Sequence, residues 1–243
     1  AEGGRALVYL TSKQNDIVHH GETEEERKAA DDMLGFLTPI AKAFLTEVGL
    51  ESANHGVQVY GGHGFIAEWG MEQIVRDTRI STLYEGTTGI QALDLLGRKV
   101  LMTQGGALKN FTKLMHTFCK EEADNEELAP FVTKLVEMNK EWGDLTMKVG
   151  MTSMKNRDEV GSASVDYLMY SGYVTLAYIW AKMAKVAQTA LSNGTTEEDF
   201  YKAKLTTARF YFTRILPRTN FHAESMVAGA DTLMDLAEEH FQF

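Results

Sequence analysis

Only one cysteine, Cys119, occurs in the 243 residues, so no internal disulfide can form. A lone thiol suits a reducing compartment, and a cytoplasmic location is the expectation. Cys119 itself reads as a core residue. Prolines number three, Pro39, Pro130 and Pro217, while Ala, Leu, Glu, Lys and Met abound, a composition that favours long uninterrupted helices over many short strands. Basic residues are the minority, 24 Lys and Arg against 34 Asp and Glu for a net charge of -10. No basic stripe interleaved with aromatics stands out, so nucleic acid is not an expected partner. A long hydrophobic run is also missing. The most apolar stretch, Tyr167 to Ala181, is interrupted by Ser171, Gly172 and Thr175 and falls short of the ~20 residues of a membrane span. It reads as a buried core helix, and no membrane span is expected. The chain opens at Ala1 without an initiator Met or a signal-like segment, and is expected to be a piece of something longer.

Glycine is scarce in one half and crowded in the other. Nine of the 21 lie between Gly49 and Gly97, and only six follow Ala107. Apolar residues recur at helical spacing through Ala6, Leu7, Leu10, Ile17 and Val18, and again from Met33 through Leu45. Between them GETEEER supplies a turn and a capping box, with the Thr23 hydroxyl accepting from the Glu26 amide and Glu26 reaching back to Thr23. Thr38-Pro39 is either a second helix start or a kink in one long helix. The helical pattern then runs to about Tyr60 and breaks at GGHG, where a loop is expected. Ile74 to Leu83 is ambiguous. A helix resumes near Thr87 and closes at Gly105-Gly106, and the next runs from Leu108 to Cys119. Three long helical stretches follow, Pro130 to about Lys155, Asp158 to about Leu191 and Thr196 to about Arg214, with a shorter one ending at His240. The expected fold is all-α, an antiparallel helical bundle with a further helical extension. The acidic run KEEADNEE suggests a division into residues 1–120 and 121–243.

Most catalytic signatures are missing. HExxH, Walker, GxSxG and CxxC motifs do not occur. His19 and His20 are adjacent and point to different sides of a helix, and His55 and His63 lack a carboxylate at ligand spacing, so no metal site is expected. What stands out is Leu83-Tyr84-Glu85-Gly86-Thr87-Thr88-Gly89, a carboxylate between an aromatic residue and a Gly-Thr-Thr-Gly turn that opens an amphipathic helix. Glu85 is either a helix-start carboxylate beside a Thr87 or Thr88 cap, or a base aimed into a cleft.

The span of residues 57–101 resembles the C-terminal helical domain of acyl-CoA dehydrogenases. Three blocks carry the resemblance in order and spacing: QVYGGHGF (58–65), Arg76-Asp77 and YEGT (84–87). The upstream helices fit the same domain, which extends the likeness over about residues 1–110. Residues 162–184 resemble the helical extension of a larger-subunit branch that includes the 3-methylmercaptopropionyl-CoA dehydrogenase-like enzymes.

The resemblance implies FAD as cofactor, an acyl-CoA substrate, an electron-transferring flavoprotein as partner, and a homodimer or homotetramer. Glu85 falls on the family's catalytic base, which removes the α-proton of the thioester while the β-hydride passes to flavin. Its backbone amide falls on a donor to the thioester carbonyl. Tyr84 and Gly86 flank it at the substrate, with Gly86 as the turn glycine that leaves Glu85 pointing into the cleft. Burial beside Tyr84 and the acyl chain is expected to raise the Glu85 pKa, against the helix N-terminus that lowers it. Gln58, Val59, Tyr60, Gly61 and Gly62 fall on the stretch that contacts flavin across a subunit interface. Thr87 falls on a contact to the adenosine diphosphate half; many members carry Gln where this chain has Gly89, so only the backbone of Gly89 matches there. Arg76 and Asp77 are expected to pair structurally, and Trp69 and His63 to line or pack the cleft. The isolated chain is expected to be inactive, because the family's N-terminal helical and central β-domains are not in it. Two other readings stay open: an acyl-CoA oxidase, and a non-catalytic helical assembly module.

Overall fold

A computed structural model describes residues 1–241. Every regular element among them is helical. Helices α1 (Glu2–His20) and α2 (Glu24–Pro39) form an antiparallel hairpin. The Thr23 hydroxyl caps α2 by accepting from the Glu26 amide at 3.1 Å. The Glu26 carboxylate reaches the amide of Glu22 at 3.0 Å, one residue earlier than the box expected at Thr23.

Pro39 neither starts a helix nor breaks one. A π-helical turn, Ile40–Phe44, follows it and leads directly into α3 (Leu45–Tyr60). The wider turn accommodates a ring that offers no N–H to the ladder. Over 18 residues this continuous helix is apolar enough to match a membrane span, with mean hydropathy 1.3. Its apolar residues Phe36, Leu37, Ile40 and Phe44 are, however, packed in the protein core, so its hydrophobicity has a partner within the fold.

Gly61 ends α3 at φ +60°. GGHG does not form an open loop: α4 (Gly62–Phe65) is a single helical turn, followed by a 3₁₀ turn, Ala67–Trp69. The ambiguous stretch resolves as α5 (Met71–Arg79) and a 3₁₀ turn, Ile80–Thr82. Helix α5 runs back along α3, with Met71 over Gly56 and Thr78 over Gly49. A Cβ at Gly56 would sit 2.5 Å from the Met71 methyl, so glycine there permits the close approach.

Next come α6 (Thr88–Leu93), a π-helical stretch Asp94–Leu101, α7 (Gly106–Glu121), α8 (Ala129–Ser153), α9 (Asp158–Ser192), α10 (Glu198–Phe210) with a π-turn to Ile215, α11 (Arg218–Met226), and the short α12 (Asp231–Met234). Helix α9 is the hub, touching α1, α6, α8, α10 and α11 and both upstream π-helical segments. The stretch Tyr167 to Ala181 is buried almost throughout, as expected for a core helix. Gly172 faces the Phe44 ring so closely that a Cβ would lie 2.2 Å away, and Phe44 meets Tyr173 edge-on at 4.9 Å. Trp142 of α8 is fully buried between Phe36, Phe111 and Tyr170. One apolar core therefore runs from α1 to α11. Cys119 lies in it, and burial raises its pKa.

Two carboxylates tie remote elements together. Burial of Glu122 at the end of α7 opposes ionisation, but the pair with Lys185 of α9 and the bond from Asn125 outweigh it and hold the carboxyl below its ordinary 4.5. Glu51 of α3 lies below the same value, chiefly because Arg218 donates to it at 2.7 Å. Where the folded pKa is depressed, the unfolded chain binds more protons, so stability rises with pH. That contribution is complete above about pH 4.5 and lost as pH falls through the folded values. Urea midpoints are expected to drop more steeply in acid for the natural chain than for a Glu51→Gln/Glu122→Gln double variant; parallel curves would contradict this.

Candidate functional site

The segment 80–88 crosses from α5 to α6 with little regular structure, and its geometry is specific. Glu85 sits at φ +55°, in the left-handed region that costs a non-glycine residue roughly 1 kcal/mol or more. Gly86 follows at φ +88°. A Cβ there would lie 2.7 Å from Gln91 Nε2 and displace that amide, and the positive φ strains any side chain at this position. Thr87 caps α6, its hydroxyl accepting from the Ile90 amide at 3.3 Å.

Four hydrogen bonds and one cation–π contact hold this crossing in place. Lys42 Nζ donates to the carbonyl of Ser81 at 3.0 Å and to that of Gly86 at 2.6 Å. Its ammonium also lies 5.9 Å from the Tyr84 ring centroid. Gln91 Nε2 donates to the Glu85 carbonyl at 3.0 Å. The Thr88 hydroxyl donates to the Glu47 carboxylate of α3. Lys42, Glu47 and Gln91 were not singled out in the sequence. The available signal for Lys42 was a charged residue amid Ile40, Ala41, Ala43 and Phe44.

The carboxylate of Glu85 is exposed, and Tyr84 is 50% exposed. The burial expected for Glu85 is thus not supplied by the described residues. Among the described residues the Glu85 N–H donates to no backbone carbonyl. Gly89 faces open space.

Gln58, Val59, Tyr60, Gly61 and Gly62 lie together at the far end of α3, all exposed, with Val59 at 83%. Nothing approaches a Cβ position at Gly61 or Gly62, so their backbone is open. Phe65 and Trp69 add exposed aromatic surface, the latter edge-on to His63 at 5.5 Å. Lys42, which marks the Glu85 crossing, and Gln58 are sixteen residues apart on one continuous helix, a rise of about 24 Å. The two groups of site residues therefore form separate patches.

Two other expectations are corrected. Arg76 and Asp77 do not pair: Asp77 accepts instead from Gln73 at 2.7 Å, and both residues are exposed. Neighbours on a helix diverge by about 100° and do not face each other. His55 does have a carboxylate nearby, Glu51 at 3.4 Å. Among the described residues no group of three His, Cys, Asp or Glu is placed to hold a metal ion.

Residues 7–101 match the family described as acyl-CoA dehydrogenase, C-terminal domain. Residues 111–237 match the family described as acetyl-CoA dehydrogenase C-terminal like. The 3-methylmercaptopropionyl-CoA dehydrogenase of Ruegeria pomeroyi is 34% identical over 96% of this chain and 40% of its own length. The broad-specificity linear acyl-CoA dehydrogenase FadE5 of Mycobacterium tuberculosis is 30% identical over 99% of this chain and 41% of its own. The chain thus spans about two fifths of the length of these relatives. A Bacillus anthracis acyl-CoA dehydrogenase solved with FAD shares the fold, with a TM-score of 0.66 at 21% identity over 95% of this chain and 41% of that one.

Proposed function

The chain belongs to the acyl-CoA dehydrogenase family, and from that premise we propose that it forms the helical C-terminal part of a FAD-dependent enzyme that desaturates acyl-CoA thioesters, with Glu85 as the base. One observation carries this reading. A carboxylate at positive φ is held outward on a crossing clamped by Lys42, Gln91 and Glu47. Helix-cap chemistry does not require that arrangement, because Thr87 already caps α6.

An α-C–H beside a thioester is a weak acid. Its removal needs a base within reach and a donor for the charge that develops on the carbonyl oxygen. The Glu85 carboxylate takes the proton, and the Glu85 N–H, free of backbone partners, supplies a donor to that oxygen. Gly86 fixes the exit of the chain, and Tyr84 offers an aromatic wall to the acyl chain. Bound FAD supplies the hydride acceptor.

The residues present fit a dinucleotide. Open backbone at Gly61 and Gly62, the exposed Gln58 amide, the Tyr60 ring and the apolar Val59 combine hydrogen-bonding groups with flat apolar surface. Thr87 and the uncovered backbone at Gly89 serve the phosphate-bearing half. The distance along α3 between these patches supports two different subunits' sites, with residues 58–62 serving the cofactor of a neighbouring protomer. In this reading acyl-CoA is the substrate, an electron-transferring flavoprotein is the electron acceptor, and the assembly is a homodimer or homotetramer.

The test is anaerobic addition of straight-chain acyl-CoAs to the flavin-loaded protein that contains these residues. Loss of the oxidised flavin's visible absorption is expected, together with turnover that depends on an added electron acceptor. An unchanged spectrum across the series would contradict the reading.

A further inference from the structure

We propose that Lys42 is the positioning residue for Glu85, a strap that sets the direction of the carboxylate by holding the backbone on both sides of it. The inference rests on Glu85 being the base. Lys42 lies on the π-helical turn after Pro39, where the widened backbone projects one residue out of the regular helical register; such turns recur at functional sites. Among the described residues it has no carboxylate partner within ion-pair distance. Both of its hydrogen bonds go to carbonyls of one crossing, Ser81 at 3.0 Å and Gly86 at 2.6 Å.

Those two carbonyls bracket Tyr84 and Glu85. The Gly86 carbonyl can point at Lys42 only while Glu85 keeps its left-handed backbone, since rotation about the Glu85 and Gly86 torsions would swing the carbonyl away and the carboxylate with it. A lysine meets this need well because an ammonium has three donors and forms charge-assisted bonds to more than one acceptor. The bond from Gln91 to the Glu85 carbonyl secures the adjoining peptide, between Glu85 and Gly86, from the α6 side. Without the ammonium, the strained residue relaxes and the carboxylate samples directions from which it cannot reach a substrate α-carbon.

Lys42→Met keeps the length and the apolar stem but removes the donors; Lys42→Arg restores them. Both are made in the flavin-loaded protein together with Glu85→Gln. Amide exchange is read first, because it does not depend on turnover. The amides of Leu83 and Tyr84, both bonded to the Ile80 carbonyl, are expected to exchange about tenfold faster in Lys42→Met, with α7 to α9 unchanged. Turnover is expected to fall about 10- to 100-fold with less than about threefold change in KM, flavin content unaltered, and a larger kinetic isotope effect from α-deuterated acyl-CoA. Lys42→Arg is expected to recover most of both losses.

Unchanged exchange, or turnover within about twofold of the natural protein, would overturn the proposal. So would a loss of exchange protection throughout the fold that Lys42→Arg does not reverse, which is the mark of a general structural role. Glu85→Gln separates the two failures. If it is inactive while Lys42→Met is normal, only the strap is wrong; if it stays active, the base assignment falls and the strap falls with it.

Discussion

Replacing Glu85 with Gln is expected to lower turnover by about 10²- to 10⁴-fold, the range that a positioned general base contributes. The substitution is nearly isosteric, and the contacts that hold the crossing involve the Glu85 carbonyl and its neighbours rather than the carboxylate. The backbone at φ +55° is therefore expected to persist, and with it flavin retention and acyl-CoA binding. What disappears is proton affinity, because a neutral amide does not accept a proton at neutral pH. Glu85→Asp keeps the carboxylate but draws it back by one methylene, and displacement on that scale costs about 10²-fold by misalignment alone. The order natural protein, Asp, Gln in turnover is thus expected, with flavin content constant. Gln activity within about tenfold of the natural protein would exclude Glu85 as the base.

Trp142→Ala is expected to be the most damaging single change to stability. Trp142 is fully buried and lies about 6 Å, ring to ring, from Phe36 of α2, Phe111 of α7 and Tyr170 of α9. Removing a large buried aromatic costs about 3–5 kcal/mol, because the lost transfer energy is joined by a cavity that the neighbours only partly fill. For a chain of this size that corresponds to a fall of about 6–20 °C in Tm. Trp142→Phe is expected to retain much of the stability by keeping an aromatic ring among the three partners. Since those partners come from before and after the acidic run at residues 120–127, one cooperative transition is expected to shift as a whole. A loss confined to a second, separable transition would contradict a shared core.

Much of the helical framework was legible because its signals are local. Scarce proline and abundant helix formers gave the all-α class, and Gly61, Gly105 and Gly194 close helices with positive φ. The carboxylate in YEGTTG stood out, but on the residues alone helix start and base remained alternatives, and the resemblance carried by QVYGGHGF, Arg76-Asp77 and YEGT is what favoured the base. What the sequence concealed is pairwise and long-range. Lys42 meets Gly86 across 44 positions and Glu47 meets Thr88 across 41, and no periodicity announces such contacts. They follow only once α5 is seen to run back along α3. The local errors have physical causes as well. Arg76 and Asp77 are adjacent in sequence but splayed on the helix, and GGHG closes into a turn because Gly61 makes the reversal that frees the next four residues for helix. Burial of Glu85 requires surfaces that these residues do not provide.

The most direct measurement is the structure of the flavin-loaded protein with a bound, unreactive acyl-CoA analogue. A Glu85 carboxylate oxygen is expected within about 3.5 Å of the substrate α-carbon, with the Lys42 bonds to Ser81 and Gly86 intact. An analogue seated with its α-carbon against a different carboxylate, and Glu85 still facing solvent, would contradict the assignment.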